Sequence, residues 1–289
     1  MMRGLARWVG KRSAIFALFA LLLLLVANQP SQAQLYSYKK ATTSRAARED
    51  AIRGIPFRSL SQQAQQRLLS VVRKPTMFRR MPVTTIRCDP ELHRFSVRQP
   101  EVIVSIWQLM GITQVTAQRT APYVLQCNDG VGTITNMELI YGDSDTHVLF
   151  CEGSYDGPLF RKPLTGRCVL VLRSNSNQTG AGYQVTNLLD VFLQVDHAGL
   201  DIFAKTLHPL LGKSADINFT ESMRFIEKMS RASENNGDGM QNMIDRLKGV
   251  QPTVRKDFKQ VVSNVQARHT HAMASNGSKT SPAANTRQR

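Results

Sequence analysis

The chain has 289 residues, 37 Lys and Arg against 21 Asp and Glu, and a net charge of +16, which is length enough for one substantial domain with tails or for two small ones. The charge is uneven: residues 35–80 carry 11 Lys/Arg and 2 Asp/Glu, residues 81–200 carry 8 and 11, and residues 201–289 carry 14 and 8. A mildly acidic centre with no recognition motif argues against a nucleic-acid reader, and no catalytic, cofactor or phosphate-loop pattern is present.

The N-terminal segment reads as an address. Arg3, Arg7, Lys11 and Arg12 form a positive region, Ala14 to Ala27 is an unbroken apolar run of 14 residues, and Ser31-Gln32-Ala33 offers small residues for cleavage between Ala33 and Gln34. A membrane-spanning helix needs about 20 apolar residues, so residues 1–33 are expected to be a cleaved signal peptide rather than an anchor. On either reading the body lies outside the cytoplasm, in the periplasm or cell envelope or secreted.

Residues 34–80 form a basic flank with two helical patterns. Ser44 is placed to cap a short helix ending near Gly54, and Ser59 or Ser61 a second one with Ala64, Leu68, Leu69 and Val72 on one face before Pro75. A helix with one apolar stripe most often docks on a core. The basic flank also suits an anionic membrane or envelope surface.

From Pro82 the pattern becomes strand-like. Val83 to Cys88 reads as a first strand, Pro100 to Met110 as a helix with Val102, Ile103, Ile106 and Trp107 on a broad buried face, and Gly111 as its end. Five more segments follow, near Thr113–Thr120, Pro122–Asn128, Gly132–Tyr141, Asp145–Tyr155 and Leu164–Ser174, with turn residues between them. Asn175–Gly182 reads as a polar loop. In the last strand Tyr183, Val185, Leu189, Val191, Leu193 and Val195 share one face, with Asn187 the one polar interruption.

The period then changes to that of a helix. Leu200, Phe203, Ala204, Leu207 and Leu211 form a stripe expected to break at Pro209 and Gly212; a second helix, with Asn218 and Glu221 spaced as a capping box, puts Phe219, Met223, Ile226 and Met229 on one face. Short connections favour antiparallel neighbours. The class is therefore α+β: a curved antiparallel sheet of six to seven strands, with helices on one face, packed against a C-terminal helix and flanked by helices at both ends. Residues 81–231 are the expected domain, 232–267 a linker with two amphipathic helices, and 268–289 a disordered basic tail.

The order strand, helix, meander, long helix resembles the START-like helix-grip superfamily, and Phe192-Leu193-Gln194-Val195-Asp196, Gly199, Lys205 and Leu207 resemble the last strand and helix of its members. That resemblance implies an apolar cavity between sheet and terminal helix; the helix break at His208-Pro209 departs from its simple form. The runs PTMFRRMPVTTIRCDPELH, GSYDGPLFRKPLTGRCVLVLRS and HPLLGKSADINF are similar to exported planctomycete-type proteins of unassigned function, which implies no activity.

The cysteines carry the most definite chemistry. A hairpin that pairs Glu152 with Arg167 also sets Cys151 opposite Cys168 and Leu149 opposite Leu170, so Cys151–Cys168 is the expected disulfide; Cys88 and Cys127 are left as a second pair. His93, His147, His197 and His208 are scattered without metal-ligand spacing, and no cofactor or metal is implied. The functional expectation is a binding module holding an apolar small molecule or lipid. Phe203, Leu207, Phe219, Met223 and Ile226 would meet Leu149, Leu170, Leu189, Val191 and Leu193 around it. The alternatives are a structural or interaction component of the envelope with a filled core, and an enzyme built in the same cavity, for which convergent polar groups are missing from the pattern. Nothing in the pattern sets the oligomeric state.

Overall fold

The computed structural model describes residues 40–157, 163–180, 182–196 and 208–278, the side chains of 208–211 and 275–278 excepted. The signal segment 1–33 with Ala33 and Gln34, the side chains of Phe203 and Leu207, and the tail beyond Ser278 lie outside the described residues.

Two helices open the described chain. Helix α1 (Arg45–Arg53) is capped by Ser44, whose hydroxyl accepts from the Ala47 amide; helix α2 (Gln62–Val72) is capped by Ser61, accepting from Ala64. Both caps follow the sequence pattern. The chain then enters the sheet earlier than expected, as β1 (Met77–Arg80), and continues as β2 (Thr84–Arg87). Both strands pair with the last strand, one after the other along its edge. Pro82, which cannot donate to a ladder, falls at the break between them.

Helix α3 (Pro90–Arg98), absent from the sequence reading, follows at once. Asp89 caps it by accepting from the amides of Glu91 and Leu92, with Pro90 in the first turn. Helix α4 (Pro100–Leu109) comes next and buries Val102, Ile103, Ile106 and Trp107 as its periodicity predicts. The meander is β3 (Thr116–Ala121), β4 (Val124–Asn128), β5 (Thr133–Gly142), β6 (Thr146–Tyr155), β7 (Leu164–Thr179) and β8 (Gly182–Val195). The eight described strands form one antiparallel sheet in the order β1-β8-β7-β6-β5-β4-β3, with β2 beside β1 on β8. The expected loop Asn175–Gly182 is instead the end of a long hairpin, in which Thr179 pairs with Gly182. Residues 175–180 are exposed, so this extension buries neither face and leaves no hydrophobic alternation to read.

Helix α5 (His208–Asn235) runs unbroken through Gly212 and the supposed capping box at Asn218. Pro209 lies at the start of the described helical span, and the residues before His208 lie outside the described residues. Gly212 packs beside the Arg79 guanidinium, 3.1 Å from where a Cβ would sit. Helices α6 (Gly237–Asp245) and α7 (Pro252–Ser278) complete the described chain.

The sheet is covered on both faces, not on one. Its inner face carries Leu149, Leu170, Leu189, Val191 and Leu193 and packs with α3 to α7 in one cluster; its outer face carries Phe78, Val148, Phe150, Val169, Val171 and Phe192 and packs on α1 and α2. The flank helices thus dock on the core. The two amphipathic helices expected over 232–267 pack on the domain: Met240, Ile244, Leu247, Val254, Phe258, Val262 and Val265 are buried in the inner cluster. The expected disordered tail is helical as far as Ser278, and Arg268 is held by a two-point ion pair with Asp89 at 2.9 Å.

Candidate functional site

Between α4, α5 and the inner face of the sheet lies an apolar cavity of about 60 Å³. Leu149, Leu170, Leu172 and Leu189 form its floor on β6, β7 and β8; Phe219, Met223 and Ile226 of α5 and Ile103, Val104 and Trp107 of α4 form its walls. Ser96 and Ser222 supply its only polar side chains among the described residues. Six of the expected residues (Leu149, Leu170, Leu189, Phe219, Met223 and Ile226) come together here. Val191 and Leu193 are buried in the same cluster away from the cavity. Trp107, expected as a core anchor, tilts against Phe225 with ring centroids 5.5 Å apart. Ser96 and Val97 were missed because α3 was missed; its signal was Asp89-Pro90 ahead of Leu92, Phe95 and Ser96.

The cavity is flanked by polar side chains. Asn187, fully buried on β8, accepts at Oδ1 from His93 Nε2 at 2.7 Å and from the Ser174 hydroxyl at 3.0 Å, and its amide reaches the Val185 carbonyl at 3.3 Å. The one polar residue on the apolar face of β8 is therefore satisfied. On β6, His147 stands two residues before Leu149 and opposite Leu172, both at the cavity floor. Its Nε2 accepts from Arg98 Nε at 3.1 Å, and Nδ1 is buried without a hydrogen-bond partner. Burial drives both histidines down to about 4, opposed at His93 by the bond to Asn187 and reinforced at His147 by the charge of Arg98. Both imidazoles are neutral at pH 7. No local pattern marks these histidines as neighbours, since they lie 54 positions apart on a helix and a strand.

All four cysteines are buried free thiols. Cys151 faces Cys168 in the expected register, with Glu152 opposite Arg167 and Leu149 opposite Leu170. The second expected pair is not brought together. Cys88 follows β2 at one edge of the sheet near Ser230, whereas Cys127 lies on β4 near Cys151 and Glu101. With β8, β7, β6 and β5 between them the separation along the sheet is on the order of 20 Å, beyond any disulfide. Burial raises every one of these thiols, Cys151 to about 12.

Much of the basic flank is used internally. Arg79 pairs with Asp216, Arg80 with Asp190 and Asp50, and Arg67 with Glu138 while lying 4.4 Å over the Phe150 ring. An open groove of about 860 Å³, lined by Arg98, Arg119, Tyr123, Tyr141 and Asp257, is larger than the cavity but solvated, and Arg119 is neutralised there by Glu101 at 2.7 Å. Among the described residues no group of His, Cys, Asp or Glu is arranged to hold a metal ion, and no helix is long and apolar enough to cross a membrane.

No protein-family model matches the chain, and no curated protein does. Among solved structures, the chain is similar to a conserved protein from Geobacillus kaustophilus at 11% identity and a TM-score of 0.39, covering 52% of this chain and 93% of that one. It is also similar to the di-domain ARO/CYC BexL from the BE-7585A biosynthetic pathway, at 14% identity and a TM-score of 0.28, covering 57% of this chain and 54% of that one.

Proposed function

We propose that the protein is an exported binding module that holds an apolar group between its sheet and the long helix α5 that follows the last strand. The observation that carries this reading is the cavity of about 60 Å³ at the place where helix and sheet meet, with leucine, phenylalanine, methionine and isoleucine side chains around it. A dry apolar cavity of about 150 Å³ accepts benzene, so a space less than half that size suits a short alkyl group or the end of a chain, not a whole lipid. Among the described residues its lining is apolar apart from two serines, which suits binding an apolar group. Export rests on the N-terminal segment, and N-terminal sequencing should find Gln34 first.

The second reading is a structural or interaction component of the cell envelope with no ligand. The small size of the same cavity favours it, because the walls close most of the available space. Native mass spectrometry of protein purified from its source separates the two. A co-purified apolar compound released by solvent extraction supports the binding module. Unliganded protein that shows no thermal shift with short alkanols supports the structural component.

A further inference from the structure

The sheet has one edge whose backbone is left unpaired. Strand β3 (Thr116–Ala121) ends the strand order, and among the described residues its amides and carbonyls bond only to β4. In an antiparallel ladder about half of a strand's backbone groups point away from its one neighbour. The opposite edge differs: Thr42 exchanges two backbone bonds with Arg80 of β1, at 3.0 and 2.9 Å. Helix α4 is bonded to the chain just before β3, where Gln108 Nε2 donates to the Val115 carbonyl at 2.7 Å. No such bond to the backbone continues along the strand itself.

Two open grooves border β3 in succession. The first, of about 720 Å³, is lined by residues 116–118, by Gln108 of α4, and by Arg246 and Lys248 of the α6–α7 connection. The second is the groove of about 860 Å³ that runs from Arg119 to Tyr123. Together they reach every residue of β3, and each of these residues is exposed or half-buried.

The first groove is positive. Arg246 and Lys248 are exposed, and among the described residues neither meets a carboxylate, whereas Asp245 is held by Lys259 and Glu101 by Arg119. The Ser105 hydroxyl donates to the Lys248 carbonyl at 2.7 Å and fixes this connection against α4. Asp257 lines the second groove, so acidic residues of a partner belong in the first. Two fixed cations beside an unpaired strand suit an incoming strand with carboxylate side chains. They disfavour a second copy of this chain, which carries the same two cations at the same edge and a net charge of +16.

We infer that β3 takes an added strand from a partner, an extended acidic peptide whose main chain pairs with the free edge and whose carboxylates meet Arg246 and Lys248. In such an addition the main-chain bonds supply affinity and the groove selects the side chains. Binding at the edge does not require a ligand in the apolar cavity.

The test is fluorescence anisotropy on the full mature chain with three labelled decapeptides. One alternates threonine and glutamate, one alternates threonine and lysine, and one is the acidic sequence N-methylated throughout. The acidic peptide should bind and the basic one should not. Methylation removes every main-chain donor and keeps every charge, so it should abolish binding. Arg246→Gln together with Lys248→Gln should weaken the acidic peptide about fivefold, and both exposed side chains can be changed without loss of a described bond. In the complex, hydrogen exchange should slow at amides of Thr116–Ala121. Equal binding of the plain and methylated acidic peptides, or an unchanged affinity in the double variant, would mean attraction by net charge alone and overturn the added strand. An acidic peptide that does not bind, or a dimer of the free protein that protects the same amides, would overturn the acidic partner.

Discussion

Arg80 grips the fully buried carboxylate of Asp190 at two points, Nε to Oδ1 at 2.6 Å and Nη2 to Oδ2 at 3.0 Å, from the position directly opposite it on the neighbouring strand. Arg173 reaches the same carboxylate at 3.1 Å, and both arginines also hold Asp50 of α1. Two arginines and two aspartates thus balance beneath α1 and tie the first helix to the edge of the sheet. Removing one member leaves buried charge uncompensated, which costs more than the intact pair contributes. Asp190→Ala should destabilise the protein by about 3–5 kcal/mol. Urea denaturation measures this, and a loss below about 1 kcal/mol would show that the cluster is solvated in solution.

Acid should weaken the fold in two stages. His93 and His147 are held near 4 against an ordinary 6.5, so below pH 6.5 the unfolded chain takes up protons that the folded chain refuses. Stability is full above pH 6.5 and is lost as pH falls through about 4. The slope approaches about 1.4 kcal/mol per pH unit for each histidine. Asp50 is held at about 2 by Arg173 and Arg80, so its share is present above pH 3.8 and disappears as pH falls through 2. His93→Gln should flatten the upper stage in a stability-versus-pH series; an unchanged slope in this variant would assign the upper stage to other groups.

Two phenylalanine substitutions distinguish filled core from cavity. Leu193 is buried away from the cavity, and Leu193→Phe should overpack the core at a cost of about 1–3 kcal/mol. Leu172 borders the cavity, and Leu172→Phe has space to enter. It should cost less than Leu193→Phe while abolishing alkyl-ligand binding. Equal costs in thermal denaturation would mean that the cavity closes in solution.

The C-terminal helices should be indispensable. Phe258 of α7 is fully buried and stacks on Phe95 of α3, with centroids 5.0 Å apart and planes 11° from parallel. Phe258→Ala should cost about 3–5 kcal/mol. Truncation after Arg231 removes Met240, Ile244, Phe258 and Val262 from the inner core and should give insoluble protein or a loss of cooperative melting.

Oxidation should join Cys151 to Cys168 and spare Cys88 and Cys127. Peptide mapping of oxidised protein without reduction should recover the first bridge alone, and a Cys88–Cys127 peptide would contradict the strand order. In the reduced native state all four thiols should label slowly, because each is buried and burial holds it protonated.

Local pattern alone settled a good part of this protein. Alternation along Tyr183 to Val195, the caps at Ser44 and Ser61, the helix from Pro100 and the register setting Cys151 against Cys168 are short-range features, because a two-residue period or a helix cap acts within a few residues. Such a pattern says that a face is buried but not what buries it. Tertiary structure alone decided that α1 and α2 cover one face of the sheet and α3 to α7 the other, and that Met77–Arg80 forms part of its edge. It also decided that Gly212 lies inside a continuous helix instead of breaking one, since packing of the whole helix outweighs the local cost of one glycine. The cavity and the neighbouring His93 and His147 belong to the same class. They arise where α3, α4 and α5 cross strands far away in sequence, and the closeness of such residues is a property of packing that no local period records.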